Sequence, residues 1–344
     1  MSREFNIADL VRENVKRLSP YRSARDEFEG EASVYLDANE NPFDHDGLNR
    51  YPDPYQSKLK EKLSKIKGVP VSNIILGNGS DEIIDLLIRA FCEPKKETIL
   101  IFPPTYGMYK ITADVNAVET VQIPLNDSFQ INSETALKTG SKITFICSPN
   151  NPTGNEMDRN EIERILKYSK GLVVIDEAYA DFASGDSWSE RLSEFPNLVV
   201  MQTLSKAYGL ASIRLGMAFA HAEIISVLNK IKPPYNINGL TQEVALEQLS
   251  YRDEFSEEVG LILSEREIMI RELTGLDQVI KVFPSEANFL LVKFQQAELL
   301  YQFLIERSIV VRNRASQVAD ALRLTIGTPG ENAKLIQNIK EFYS

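Results

Sequence analysis

Cysteine and histidine are nearly absent, with two of each among 344 residues. Cys92 and Cys147 are too few for a disulfide framework or a metal-binding cysteine cluster. His45 and His221 stand far apart in sequence and do not suggest a histidine-based metal site. Basic charge is also in short supply: 38 lysines and arginines against 49 aspartates and glutamates leave a net charge of -11. A duplex nucleic-acid binder needs a basic face, so that class is disfavoured. No apolar run has membrane-spanning length. The N-terminal stretch MSREFNIADLVRENVKRL carries charge throughout and reads as an amphipathic helix rather than a signal peptide. These absences predict a soluble, cytoplasmic protein with neither membrane nor nucleic acid as partner and with no metal.

What is present suits two compact domains. Hydrophobic residues at 43% and charged residues at 25% are ordinary globular values. From about residue 73 to 220, apolar runs (NIILGNG, TILIFPP, KITFICSP, GLVVIDEAY, NLVVMQTLSK, LGMAFA) alternate with amphipathic stretches such as SDEIIDLLIRAF and DRNEIERILKYS. That alternation predicts an α/β fold with a mostly parallel sheet covered by helices on both faces. In such sheets the ligand lies at the carboxyl ends of the strands. After KPPYNINGL come a helical region over 240–275, a strand ANFLLVKF, a helix AELLYQFLIERS, strands IVVRN and ALRLTIGT, and a last helix. This predicts a smaller α+β domain over 236–344, beside a large domain over 41–235. The helix and arm over 1–40 are expected to pack with the small domain.

The polar motifs follow the apolar runs. GNGSDE ends a strand and opens a helix whose first N–H groups can cradle a phosphate. Equally, it can be a tight turn with Ser80 or Asp81 as the helix cap. If a phosphate binds there, Asp81 should offer its backbone and turn its carboxylate away. Asp176 ends the apolar run VVID, where an unpaired carboxylate is costly to bury. A cationic partner accounts for it, and so does capping of a following helix. Tyr179 is within reach of the same place. SPNNPTG is accounted for by turn chemistry, or by Asn151 aiming its amide at a ligand oxygen. In TLSKAYGLASIRLG, Lys206 can simply end a strand with its head in water. Desolvated beside cations, the same amine becomes a nucleophile able to form a Schiff base. A reactive lysine, a carboxylate for a pyridinium nitrogen, a phosphate cradle and Arg214 together are what pyridoxal phosphate requires.

The order GNGSDE, PPTYGMY, SPNNPTG, DEAY, TLSK and a following arginine resembles the fold-type I pyridoxal-phosphate aminotransferases. LSPYRSARDE, LDANENPF, NRYPDP, KPPYNIN and RLTIGT are similar to the histidinol-phosphate aminotransferase family within them, from about residue 10 to the C-terminus. The resemblance implies that Lys206, Asp176 and Tyr179 form the catalytic set. Lys206 would carry the cofactor and move protons, and Asp176 would keep its ring nitrogen protonated. Asn151 and Tyr179 would meet the ring's phenolic oxygen, and Tyr106 would stack on the ring. Ser80, Asp81, Ser205 and Arg214 would hold the phosphate, with Tyr51 supplied by the partner of a homodimer with a shared site. Arg323 would clamp the substrate, with Arg312, Tyr21 and Asn151 around it. The segment between Arg312 and Arg323 is short, which leaves Arg314 without an assigned role. The implied reaction moves an amino group between histidinol phosphate and 2-oxoglutarate in histidine biosynthesis. Aromatic aminotransferases and threonine-phosphate decarboxylases share the scaffold and are its rivals. A non-catalytic pyridoxal-phosphate-binding regulator is another, although this chain has no segment for a DNA-binding module.

Overall fold

The computed structural model describes residues 5–20, 32–44 and 46–344. Among these, the strands are β1 (Ile74–Asn78), β2 (Thr98–Ile101), β3 (Glu119–Gln122), β4 (Ile143–Cys147), β5 (Leu172–Asp176), β6 (Leu198–Thr203), β7 (Leu215–Ala220), β8 (Val279–Val282), β9 (Phe289–Phe294), β10 (Arg312–Asn313) and β11 (Ala321–Thr325). The larger sheet has the order β1-β7-β6-β5-β4-β2-β3. Its pairs from β6 through β5, β4 and β2 to β3 are parallel, as the alternating pattern predicts. β7 runs against both β6 and β1. The smaller sheet, β10-β11-β9-β8, is antiparallel throughout.

The helices are α1 (Glu13–Lys16), α2 (Ser57–Lys67), α3 (Gly79–Phe91), α4 (Met108–Val115), α5 (Ser133–Leu137), α6 (Arg159–Tyr168), α7 (Ala222–Ile231), α8 (Gly239–Gln248), α9 (Arg252–Thr274), α10 (Ala297–Glu306) and α11 (Pro329–Phe342). The central strands are apolar at nearly every position because both faces are covered. Alternate residues part cleanly between two cores. Ile75, Phe145, Val174, Val199 and Ala218 pack with α3, α4 and α7. Leu76, Ile146, Val173, Val200 and Phe219 pack with α2, α6 and α8 on the other side. The smaller sheet has its own core, where Leu290, Val292 and Leu322 meet Leu300, Leu304, Leu335 and Ile339. Among the described residues no helix is long and apolar enough to cross a membrane.

One expectation requires correction. Among the described residues, the N-terminal segment is a 3-10 turn (Ile7–Asp9) followed by the short α1, and its buried apolar residues belong to the large core rather than to that of the smaller sheet. Ile7, Leu10, Val11 and Val15 bury against the large core beside α3, where a wider apolar face is available. Arg12 pins the contact, donating its N–H to Ala90 O at 3.0 Å and pairing with Glu93 at 3.1 Å. Edge strand β3 is ETVQ, too polar to show as an apolar run. The helical region over 240–275 is formed by α8 and α9.

The carboxyl ends of β1, β2, β4, β5 and β6 lie along one edge of the sheet. Because β7 is reversed, its beginning lies at that edge too. Register places Leu215 opposite Asn78, and Gly216 opposite both Gly77 and Thr203. A residue just before β7 therefore joins residues that follow the other strands.

Candidate active site

The edge holds a cavity of about 170 Å³ lined by residues from each of these strand ends. Its first wall is the start of α3. The helix begins at Gly79, so Asn78 rather than Ser80 or Asp81 stands at the N-cap position, with no capping bond from its side chain. Glu82 accepts the Asn78 N–H. The N–H groups of Ser80 and Asp81 lie in the first turn, where no intrahelical acceptor exists, so they can serve an anion in the cavity. Arg214 reaches the same corner from the left-handed conformation, φ 55°. Its carbonyl accepts from Gly79 N at 2.7 Å. Packing here is tight enough to require glycine: a Cβ on Gly79 would sit 2.6 Å from Arg214 Nη2, and one on Gly216 would sit 2.3 Å from Ser80 N. Thr203 Oγ1 lies 3.0 Å from Ser205 Oγ and donates to the Leu215 carbonyl at 3.1 Å, so Ser205 is held at the cavity beside it. Asp81 departs from expectation. Its carboxylate is not turned away but accepts the Tyr106 hydroxyl at 2.9 Å and lies 3.7 Å from Arg214.

The floor is Asp176, 2% exposed at the end of β5. Burial pushes its carboxyl pKa up, against the pull of hydrogen bonds from Tyr109 and Ala178. The Tyr109 hydroxyl donates to Oδ2 at 2.5 Å, and Ala178 N donates to Oδ1 at 3.1 Å. Lys206 projects into the cavity opening and makes a cation–π contact with Tyr179, 5.6 Å from the ring centre. Burial lowers its amine pKa first, and Arg323 and Arg214 lower it further, while Asp176 opposes. Tyr179 is buried, its ring edge-on to Phe289 of β9 at 5.2 Å, and burial raises its hydroxyl pKa.

The smaller sheet contributes arginines. Arg323 on β11 donates to Asn151 Oδ1, tying that sheet to the turn after β4. Across the β10–β11 ladder it faces Arg312. Arg314 joins them, its guanidinium pushed down to about 10 by burial first and then by Arg323 and Arg312. The Nε atoms of Arg314 and Arg323 are buried with no hydrogen-bond partner. Three like charges held together this way repel one another, and an anion would relieve that repulsion. Sequence reasoning left Arg314 open, and the structure brings it into the group.

Tyr51 does not line the cavity of its own chain. It is 52% exposed and stacks on Tyr235 at 4.5 Å. Its loop is braced by Glu40, which accepts Tyr51 N at 2.7 Å and Arg50 Nη1 at 2.6 Å. Tyr21 lies outside the described residues. Tyr109 is the residue that sequence reasoning missed, and its only signal was a second tyrosine three positions after Tyr106 in PPTYGMY.

The donor set fits one kind of guest. Unpaired helix N–H groups, Arg214 and Ser205 suit a phosphate. A buried carboxylate suits a protonated ring nitrogen, and a depressed amine suits attack on a carbonyl.

Comparisons with known proteins agree with this geometry. The sequence profile of the family Aminotransferase class I and II matches residues 30–339. The chain is 51% identical to the histidinol-phosphate aminotransferase of Christiangramia forsetii over 346 aligned residues, covering 98% of this chain and 99% of that one. It is 53% identical to the histidinol-phosphate aminotransferase of Parabacteroides distasonis, covering 97% and 98%. Among solved structures, that of the histidinol-phosphate aminotransferase from Clostridium acetobutylicum superposes with a TM-score of 0.80 at 27% identity, covering 86% of this chain and 91% of that one.

Proposed function

The chain belongs to the class I and II aminotransferase family, and from that premise we propose that it is a histidinol-phosphate aminotransferase. It transfers the amino group of histidinol phosphate to 2-oxoglutarate through pyridoxal phosphate, giving imidazole acetol phosphate and glutamate. The carrying observation is the group of Arg312, Arg314 and Arg323, none paired with a carboxylate among the described residues, beside a pocket holding Lys206 and Asp176. One anion site in the pocket serves the cofactor, so a second, tricationic one calls for a substrate with its own phosphate.

Pyridoxal phosphate, when bound, supplies a carbonyl carbon that receives the amino group and a ring that draws electrons from the neighbouring C–H bond. This chain positions and protonates. Ser80 N–H, Asp81 N–H, Ser205 and Arg214 hold the phosphate. Asp176 would keep the proton on the ring nitrogen, and Tyr106 would cover the ring face. Asn151 and Tyr179 direct the phenolic oxygen. Lys206 Nζ, its pKa lowered by its surroundings, takes the proton from the substrate carbon and returns it. Arg323 and its two neighbours bind the substrate's anionic end as planar forks. We divide these tasks between a cofactor domain over 41–235 and a substrate-clamping domain over 236–344, in a cytoplasmic enzyme.

In the cofactor-loaded protein without oxo acid, histidinol phosphate should convert the absorbance of the aldehyde form to that of the amine form, and 2-oxoglutarate should reverse it. Arg323→Gln should weaken the response by about 10- to 100-fold, the range of a lost charge-assisted hydrogen bond. Equal conversion by an aromatic amino acid lacking phosphate, insensitive to Arg323→Gln, would overturn the substrate assignment.

The exposed, braced Tyr51 also supports a homodimer in which this tyrosine enters the partner's site. An aromatic with a hydroxyl, held out on a stiff proline-flanked loop, suits an interface. Mixing Lys206→Ala chains with Tyr51→Ala chains, each nearly inactive, should restore activity, because a hybrid has one pocket with both residues intact. If chains shown to exchange recover nothing, Tyr51 acts within its own chain.

A further inference from the structure

We infer that Tyr109 is a positioning residue of this site, its hydroxyl fixing the orientation and the negative charge of the carboxylate that faces the cofactor ring. The inference rests on the reading of Asp176 as the partner of the ring nitrogen.

Tyr109 is the second residue of α4 and 0% exposed. Its ring is gripped on two sides, stacked on Phe145 of β4 at 4.8 Å and edge-on to Tyr106 at 5.5 Å. That grip brings the hydroxyl to Asp176 Oδ2 at 2.5 Å, with the Cys147 thiol beside it. With Oδ1 taken by Ala178 N–H, each carboxylate oxygen carries one protein donor, and the plane of the carboxylate is set. Donors to a carboxylate favour its charged form. The other groups facing Asp176 divide in sign: Asp81, Cys147, Tyr106 and Tyr179 bring negative or ionisable partners, and Lys206 a cation. Tyr109 is therefore the side-chain donor that offsets the carboxylate's burial without competing for the cofactor. Its phenol does not titrate in service, since burial and Asp176 raise its pKa well above the ordinary value. Without that donor the buried carboxylate binds a proton more tightly. The proton shared with the ring nitrogen then shifts toward Asp176, and the ring loses its positive charge.

Tyr109→Phe keeps both ring contacts and deletes only the hydroxyl. The readout is the nitrogen-15 shift of ring-labelled pyridoxal phosphate in the loaded protein, with cofactor dissociation measured alongside. Wild type should report a protonated ring nitrogen, Asp176→Asn an unprotonated one, and Tyr109→Phe a proton lost at a pH at least about one unit lower than in wild type. Cofactor affinity should fall about tenfold in Tyr109→Phe, with no further loss when Tyr109→Phe is added to Asp176→Asn. A packing role would instead give additive losses and leave the nitrogen signal alone. If Asp176→Asn moves the signal and Tyr109→Phe does not, this inference fails while the role of Asp176 stands. If Asp176→Asn moves nothing, the ring-nitrogen reading falls and this inference with it.

Discussion

Lys206→Ala should lower turnover by at least about 10⁴-fold, since it removes both a covalent anchor and the group that moves the proton. The folded protein should survive. Lys206 makes no hydrogen bond to another described side chain, and it stands in the cavity mouth rather than in a core. Its removal also relieves repulsion among cations, because Arg323 and Arg214 already depress its charge. The stability change is therefore expected within about 0.5 kcal/mol, as for substitutions away from packed contacts. Cofactor should still bind through the separate cradle of Ser80, Asp81, Ser205 and Arg214. Borohydride treatment decides the matter: wild type should fix pyridoxal phosphate covalently and the variant should not. A variant that still fixes it places the reactive amine elsewhere.

Asp176→Ala and Asp181→Ala should separate activity from stability. The two aspartates lie five residues apart on one short stretch, yet they face different surroundings. Asp176→Ala removes the charge opposite the ring nitrogen and should cost about a thousandfold in turnover, the upper range for deleting one electrostatic contact in a site. It also strands the fully buried Tyr109 hydroxyl, which costs about 1–3 kcal/mol. Asp181 instead pairs with Lys67 at 3.3 Å, with side-chain exposures of 21% and 14%. Its loss leaves a mostly buried lysine unpaired, so Asp181→Ala should lose about 1–3 kcal/mol of stability with turnover within a few-fold of wild type. Steady-state kinetics and thermal unfolding on both variants give the comparison. Equal, mild losses of turnover would remove the role given to Asp176.

These contrasts show where the sequence was legible and where it was not. β4, β5 and β6 announce themselves because a strand buried on both faces must be apolar at nearly every position. β3 does not, because an edge strand is solvated and ETVQ carries no such pattern. Strand direction was beyond reach: the run LGMAFA looks the same whether it is parallel or reversed, and only the assembled sheet shows why Arg214 belongs to the site. Motifs placed Asp176 and Lys206 because buried charge is conspicuous beside apolar residues. The Tyr109 hydroxyl was hidden because a tyrosine on an apolar helix face looks like core, and which carboxylate it meets depends on how α4 lies against the sheet. Docking of the N-terminal segment was misjudged for a similar reason, since amphipathicity tells which face is buried and not what covers it. Arg314 had no local cue at all. Its neighbours come from a ladder partner and a hairpin that exist only after folding.

The reversal of β7 has a further bearing on how the chain reaches its working state. The corner proposed to hold the phosphate is assembled from residues 79–81 at one end of a long stretch and 214–216 at the other, touching through Gly79 N and Arg214 O. Among the described residues β1 is an edge strand with β7 as its one neighbour in the sheet. Contacts so distant in sequence are closed late, because loop entropy opposes them until the intervening strands are in place. During synthesis, the corner cannot exist until β7 has left the ribosome, however well the earlier strands have collapsed. Cofactor capture is thus a signal of completed assembly, and by binding only the finished sheet it draws the population toward that state.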